Sequence, residues 1–184
     1  MMMSKMKLSV RDLCLISIFT AIIAVMSQLS IPMPYGVPMT MQTFAIPLAG
    51  IVLGAKKGTI STIVYILLGA IGAPVFSAFS GGIGIVFGLT GGFILSFPFM
   101  AFAAGIGCGK DNNIVWLSSG LVAGAAINFI CGMFWFSIAA PSDLNTAFAA
   151  CVLPFIPTTI LKIATLVALG GQLKKALVKS KVLA

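Results

Sequence analysis

The feature that most constrains this chain is a succession of six apolar runs, with lysine and arginine, Lys162 apart, placed only at alternate junctions and at the two ends. The runs fall near 13–31, 39–54, 58–72, 91–109, 114–139 and 147–172. At a rise of about 1.5 Å per residue, a helix needs about 20 apolar residues to cross a hydrocarbon core about 30 Å thick. The second and third runs are shorter than that and are punctuated by Pro47, Gly50, Gly54, Gly58, Gly69 and Gly72, which fits tilted, short or partly re-entrant helices. Hydrophobic residues make up 60% of the chain and charged residues 8%. A soluble chain is about 25% charged, so too few polar residues remain to coat a water-facing domain, and lipid must cover most of the surface.

The net charge of +8 comes from eleven Lys and Arg against three acids, Asp12, Asp111 and Asp143. The basic residues group as Lys5, Lys7 and Arg11, then Lys56 and Lys57, then Lys110, then Lys174, Lys175, Lys179 and Lys181. With six crossings, all four groups lie on one side, and the positive-inside rule makes that side cytoplasmic. The expectation is an all-α integral membrane protein: a six-transmembrane-helix bundle with both termini in the cytoplasm. It divides into a cytoplasmic segment 1–12, a membrane domain 13–172 and a basic cytoplasmic tail 173–184. This placement is a topology signal and not a nucleic-acid patch. The first apolar run is too long for a cleaved signal core and is read as an uncleaved span.

The other connections, near 32–38, 73–90 and 140–146, carry no Lys or Arg. The first reads Ile31-Pro-Met-Pro-Tyr-Gly-Val-Pro38, and the second carries Ser77-Ala-Phe-Ser-Gly-Gly-Ile-Gly84, Gly88 and Thr90-Gly-Gly92. Proline fixes φ and glycine permits close backbone approach, so these loops suit lids over a cavity as well as tight turns. The length of the stretch from Ala73 to Thr90 favours the lid.

Lys162 lies well inside the last apolar run. A lysine at mid-membrane costs about 2.5–3.5 kcal/mol on insertion scales and normally faces a cavity with a partner. No acid falls within a predicted span. The counter-charge is then a ligand anion, or Lys162 snorkels, binds backbone carbonyls, or meets Asp143 on a shifted helix. Thr158 and Thr159 share its helical face. Asn128 is a second costly polar group, suited to a ligand or to helix pairing. Thr40, Gln42 and Thr43 open the second run with hydrogen-bonding groups that suit an amide or ureido function. Tyr35, Phe79, Phe93, Phe97 and Trp135 lie towards the same end, as packing for an apolar ligand or as interface-belt residues. Ser17, Thr20, Ala21, Ala24 and Ser27 form a stripe of small residues on the first helix, open to a neighbouring helix or a second subunit.

Cys14, Cys108, Cys131 and Cys151 show no metal or redox spacing. The chain has no His or Glu, no metal-ligand spacing and no phosphate-binding glycine loop followed by Lys-Ser/Thr. ATP hydrolysis and proton relays find no residues here, and an intramembrane enzyme would lack its acid, base or nucleophile.

The segments Pro38-Met-Thr-Met-Gln-Thr43, Leu68-Gly-Ala-Ile-Gly-Ala-Pro-Val-Phe76, Ser80-Gly-Gly-Ile-Gly84, Thr90-Gly-Gly-Phe93 with Phe97-Pro98, and Leu153-Pro-Phe-Ile-Pro157 with Lys162 together resemble the BioY family. These are the biotin-specific substrate-binding (S) components of energy-coupling-factor transporters. The resemblance runs from about Val10 to Leu169. It implies a prokaryotic, multi-pass protein of the cell membrane that binds biotin under the first and third loops, without a cofactor or catalytic activity of its own. A transmembrane coupling protein and two cytoplasmic ATPases would supply the energy, and the stripe of Ser17, Thr20, Ala21 and Ala24 would face the coupling protein. Tyr35, Thr40, Gln42, Thr43, Phe79, Gly91, Gly92, Phe93, Asn128, Trp135, Thr159 and Lys162 are the expected substrate contacts. One departure stands out: the family usually has Gly-Asp where this chain has Thr158 and Thr159. A threonine accepts a hydrogen bond but does not balance the lysine's charge. A different anionic, ring-containing vitamin is the rival substrate, and a purely structural subunit is the reading from another class.

Overall fold

A computed structural model describes residues 9–109 and 113–179, with 171 and 173–179 described by backbone alone. Lys5, Lys7, Lys110 and Asp111, and the side chains of Lys174, Lys175, Lys179 and Lys181, lie outside the described residues. Helix α1 (Val10–Gln28) begins at a capping box: the Ser9 hydroxyl accepts from the Asp12 N–H, and the Asp12 carboxylate accepts from the Ser9 N–H, both at 3.2 Å. The chain then forms a two-residue strand β1 (Ser30–Ile31), a turn at Pro34–Gly36, and strand β2 (Met39–Thr40) antiparallel to β1, with Ser30 opposite Thr40. Helices α2 (Gln42–Leu53) and α3 (Ala55–Ala70) follow, separated only by Gly54. Its φ of 82° lies in the left-handed region open to glycine, and this permits the abrupt corner. Lys57 at the start of α3 forms an ion pair with Asp12 of α1.

After a long loop holding the one-turn helix α4 (Ile83–Val86) come α5 (Gly91–Gly107) and α6 (Ile114–Ala139), the latter capped by Asn113. Among the described residues, three stretches are long and apolar enough to cross a bilayer: Val10–Gln28, Ile114–Ala139 and Leu144–Gly170. The apolar helices Gln42–Leu53 and Gly91–Gly107 are shorter.

The last apolar run departs from the expected single helix. It forms α7 (Leu144–Cys151), a 3-10 turn (Leu153–Phe155) and α8 (Ile156–Lys179). Pro154 and Pro157 explain the break, because each lacks the N–H a helix needs and its ring collides with the carbonyl four residues back. Within α1 the small-residue stripe divides. Ser17 and Ala21 are exposed and Ala24 is half-buried, whereas Thr20 faces inward and donates to the Ser61 carbonyl of α3 at 3.0 Å. Thr20 therefore belongs to the α1–α3 contact, beside the exposed face rather than on it.

Helix α5 lies between α6 on one side and α2 and α3 on the other. The core joins Ile23 of α1, Ile46 and Ala49 of α2, Tyr65 of α3, Phe97 and Ala101 of α5, and Ala125 of α6, all buried. The outward faces carry Leu67, Phe99, Phe102, Ile130, Phe134 and Leu161, all exposed, which is the surface of a protein solvated by lipid. Helices α2 and α5 approach so closely at Gly50 that a Cβ there would stand 2.1 Å from the Ala101 carbonyl oxygen. Gly50→Leu should force the two helices apart and cost about 1–3 kcal/mol. Gly84→Leu enters open space and should cost little. Thermal unfolding of the two variants in detergent measures the difference.

Candidate functional site

The two loops and the ends of four helices enclose a cavity of about 600 Å³. This volume lies within the range of small-molecule sites, which are mostly apolar with a few placed polar groups. Its apolar wall includes Phe93, Ile94, Phe97 and Met100 from α5 and Phe129 from α6. Its polar wall includes Thr40, Gln42 and Thr43 at the start of α2, Asn128 of α6, and Thr159 and Lys162 of α8. The loops contribute Ser30, Met33, Gly36, Ser77, Ala78 and Ser80.

Lys162 sits two turns into α8 and reaches across to α2. Its ammonium donates to the Thr40 carbonyl at 2.6 Å and to the Thr43 hydroxyl at 2.8 Å. One backbone carbonyl and one hydroxyl thus solvate the charge without balancing it, and among the described residues no acidic side chain lines the cavity. Asp12 is engaged with Lys57, and Asp143 stands at the exposed start of α7. Thr159, three residues before Lys162, shares its helical face and lines the cavity.

Gln42 is held from behind. The Tyr65 hydroxyl donates its one proton to the Val75 carbonyl at 3.1 Å, so it accepts from the Gln42 amide nitrogen at 2.6 Å. The Gln42 amide oxygen accepts from the Thr40 hydroxyl at 3.2 Å. This fixes the orientation of the amide and leaves one of its N–H groups free for the cavity. Asn128 is fixed in the same way, since its nitrogen donates to the Phe93 carbonyl at 3.1 Å and to the Ser96 hydroxyl at 2.8 Å. Its amide oxygen is then the group left to accept. The wall accordingly presents donors at Lys162 and Gln42, an acceptor at Asn128, and a hydroxyl at Thr159.

Of the residues singled out in the sequence, Thr40, Gln42, Thr43, Phe93, Asn128, Thr159 and Lys162 line the cavity. Tyr35, Phe79, Gly91, Gly92 and Trp135 do not. Tyr35 and Phe79 stand at left-handed loop positions that turn their rings outward, 60% and 73% exposed. Trp135 lies behind the wall, packed on Gly91 and Gly92, and its indole N–H donates to the Gly88 carbonyl at 2.9 Å. The structure adds Phe76, Ser77, Ser80 and Met33 to the wall and Tyr65 behind it. Tyr65 carries a sequence signal, a phenol midway along an apolar helix that needs a polar partner. The loop residues lie in the proline- and glycine-rich segments read as lids, but nothing in the sequence marks them out individually.

The family model of the BioY family matches residues 2–179. The chain belongs to the BioY family. A probable biotin transporter BioY of Pyrococcus horikoshii is 40% identical over 164 residues, covering 89% of this chain and 96% of that protein. The biotin transporter BioY of Thermotoga maritima is 36% identical over 165 residues, covering 90% and 96%. Among solved structures, the S-component for biotin from an ECF-type ABC transporter superposes with a TM-score of 0.81 at 28% identity, covering 95% of each chain. The cavity of this BioY chain thus sits in a fold shared over nearly its whole length with a biotin S-component.

Removing the Tyr65 hydroxyl should expose what it supports. Tyr65→Phe leaves the Gln42 donor and the Val75 carbonyl without this partner, at an expected cost of about 1–3 kcal/mol in thermal unfolding. Ligand affinity should fall with it, because Gln42 loses its fixed orientation.

Proposed function

We propose that this chain is the biotin-binding subunit of a vitamin-uptake transporter, capturing biotin from outside and delivering it inward with an ATP-driven coupling module. The observation that carries this reading is Lys162, the one charged side chain among the described residues lining the cavity, in a fold whose relatives are named biotin transporters. Biotin carries one carboxylate, a ureido group with both donors and an acceptor, and an apolar bicycle with an aliphatic chain. Its single negative charge balances the charge of the cavity in a medium where neither is stable alone. Its ureido group complements the Asn128 acceptor and the Gln42 donor. The aromatic and methionine side chains of α5 take the apolar part.

In the same reading the polypeptide crosses the membrane six times with both ends in the cytoplasm. Segment 1–12 and the basic tail from 173 lie inside, and 13–172 forms the membrane domain of a multi-pass protein in a prokaryotic cell membrane. The alternating placement of Lys and Arg supports this orientation. The short helices α2 and α3, meeting at Gly54, then turn back at the cytoplasmic surface. The exposed Ser17 and Ala21 of α1, with Ala24 beside them, form the face offered to a transmembrane coupling protein, which joins the subunit to two ATPases. The subunit itself is no enzyme and uses no cofactor.

Equilibrium binding of labelled biotin to the detergent-purified subunit, competed with unlabelled biotin, tests the reading. Lys162→Ala should weaken binding by about 10- to 150-fold, the equivalent of a lost charge-assisted hydrogen bond of about 1.5–3 kcal/mol. Lys56→Ala, at an exposed position remote from the cavity, should leave it unchanged. Equal effects of the two substitutions would exclude Lys162 from the site. Competition by another anionic vitamin but not by biotin would reassign the substrate.

A further inference from the structure

The turn Phe76–Ser80 forms part of the cavity wall through Ser77, Ala78 and Ser80, yet its backbone is strained. Ala78 and Phe79 lie consecutively in the left-handed region, with φ of 56° and 54°, and neither is glycine. Within the turn, Phe76 N–H pairs with the Ser80 carbonyl at 3.0 Å, and the Ser80 N–H and hydroxyl both go to the Ser77 carbonyl. The Phe76 carbonyl and the Phe79 N–H stand at the two ends of the first step of this 3-10 turn, and each also bonds to a side chain from outside it. The side chain of Gln28, the last residue of α1, reaches both. Its amide nitrogen donates to the Phe76 carbonyl at 3.0 Å, and its amide oxygen accepts from the Phe79 N–H at 2.8 Å. The same nitrogen donates to the Ser27 hydroxyl at 2.9 Å, and Ser27 donates to the Val75 carbonyl just before the turn.

We propose that Gln28 is the positioning residue that holds this turn in the cavity wall, its carboxamide clamping the Phe76 carbonyl and the Phe79 N–H from outside the turn. The inference rests on the reading of the cavity as the ligand site. Gln28 occupies the point where both loops meet α1, since the Met41 N–H donates to the Leu29 carbonyl at 3.0 Å and β1 begins at Ser30. The Val75 carbonyl, which accepts from Ser27 and Tyr65, extends the same chain of hydrogen bonds to Gln42 on the polar wall. Without the tether, a strained turn that has lost two hydrogen bonds to α1 relaxes toward solvent, and the wall opens beside Ser77.

Gln28→Met keeps the side-chain length and removes both polar ends, so it isolates the tether from packing. Stopped exchange of labelled biotin should show the dissociation rate rising about tenfold in Gln28→Met, the loss of two ordinary hydrogen bonds. Gln28→Glu keeps the acceptor for Phe79 and loses the donor to Phe76, and should fall between Gln28→Met and the parent chain. A second readout needs no ligand. In a Ser77→Cys chain, a small thiol reagent should label the new cysteine faster when Gln28→Met is present, measured over the background of the same chain lacking Ser77→Cys. Unchanged dissociation and unchanged labelling in Gln28→Met would overturn the proposal. If the parent chain does not bind biotin, the functional reading falls, and the labelling comparison alone decides the role of Gln28.

Discussion

The arrangement depends on one ammonium group. Lys162 stands two turns inside an apolar helix, and an ionic charge in that setting is stable only with full hydrogen bonding and a counter-charge. The fold supplies the first part: β2 and the start of α2 bring the Thr40 carbonyl and the Thr43 hydroxyl to the lysine nitrogen. It supplies no acid in the cavity among the described residues. In the proposed reading an anionic guest completes the site, and the threonine at position 159 makes that requirement stricter than an aspartate would.

The remaining polar groups follow a consistent design, in which each amide at the cavity is oriented by a partner outside it. Tyr65 fixes Gln42, and Ser96 with the Phe93 carbonyl fixes Asn128. In a low-dielectric interior such fully satisfied networks are rigid, so their free ends are pre-aimed at a ligand. The loops obey the same logic. Each buries an apolar side chain in the helix core, Val37 from the first and Phe76 from the second, and each is also hydrogen-bonded to the end of α1.

Much of this is legible in the sequence where the physics is local or costly. Apolar run length and lysine spacing delimit the helices, and the expense of a buried charge isolates Lys162. The same expense points to Asn128 and to the Thr40–Thr43 cluster. The break in the last helix is also written in Pro154 and Pro157, although a hydropathy window averages across them. Loop geometry is not accessible in this way. Tyr35 and Phe79 look like aromatic contacts by position, but left-handed backbone angles turn them outward. Phe76 and Ser77 enter the wall through the same unforeseeable turn. Gly91 and Gly92 read as lid glycines, whereas their work is to admit Trp135 against the start of α5.

The central claim, that the cavity is built to hold one biotin and is completed by it, is tested most directly by native mass spectrometry of the subunit released from detergent after purification from biotin-containing medium. The account predicts a population carrying a single bound biotin, lost when Lys162 is replaced by alanine. A subunit that carries no small molecule, and takes up none when micromolar biotin is added, would contradict it.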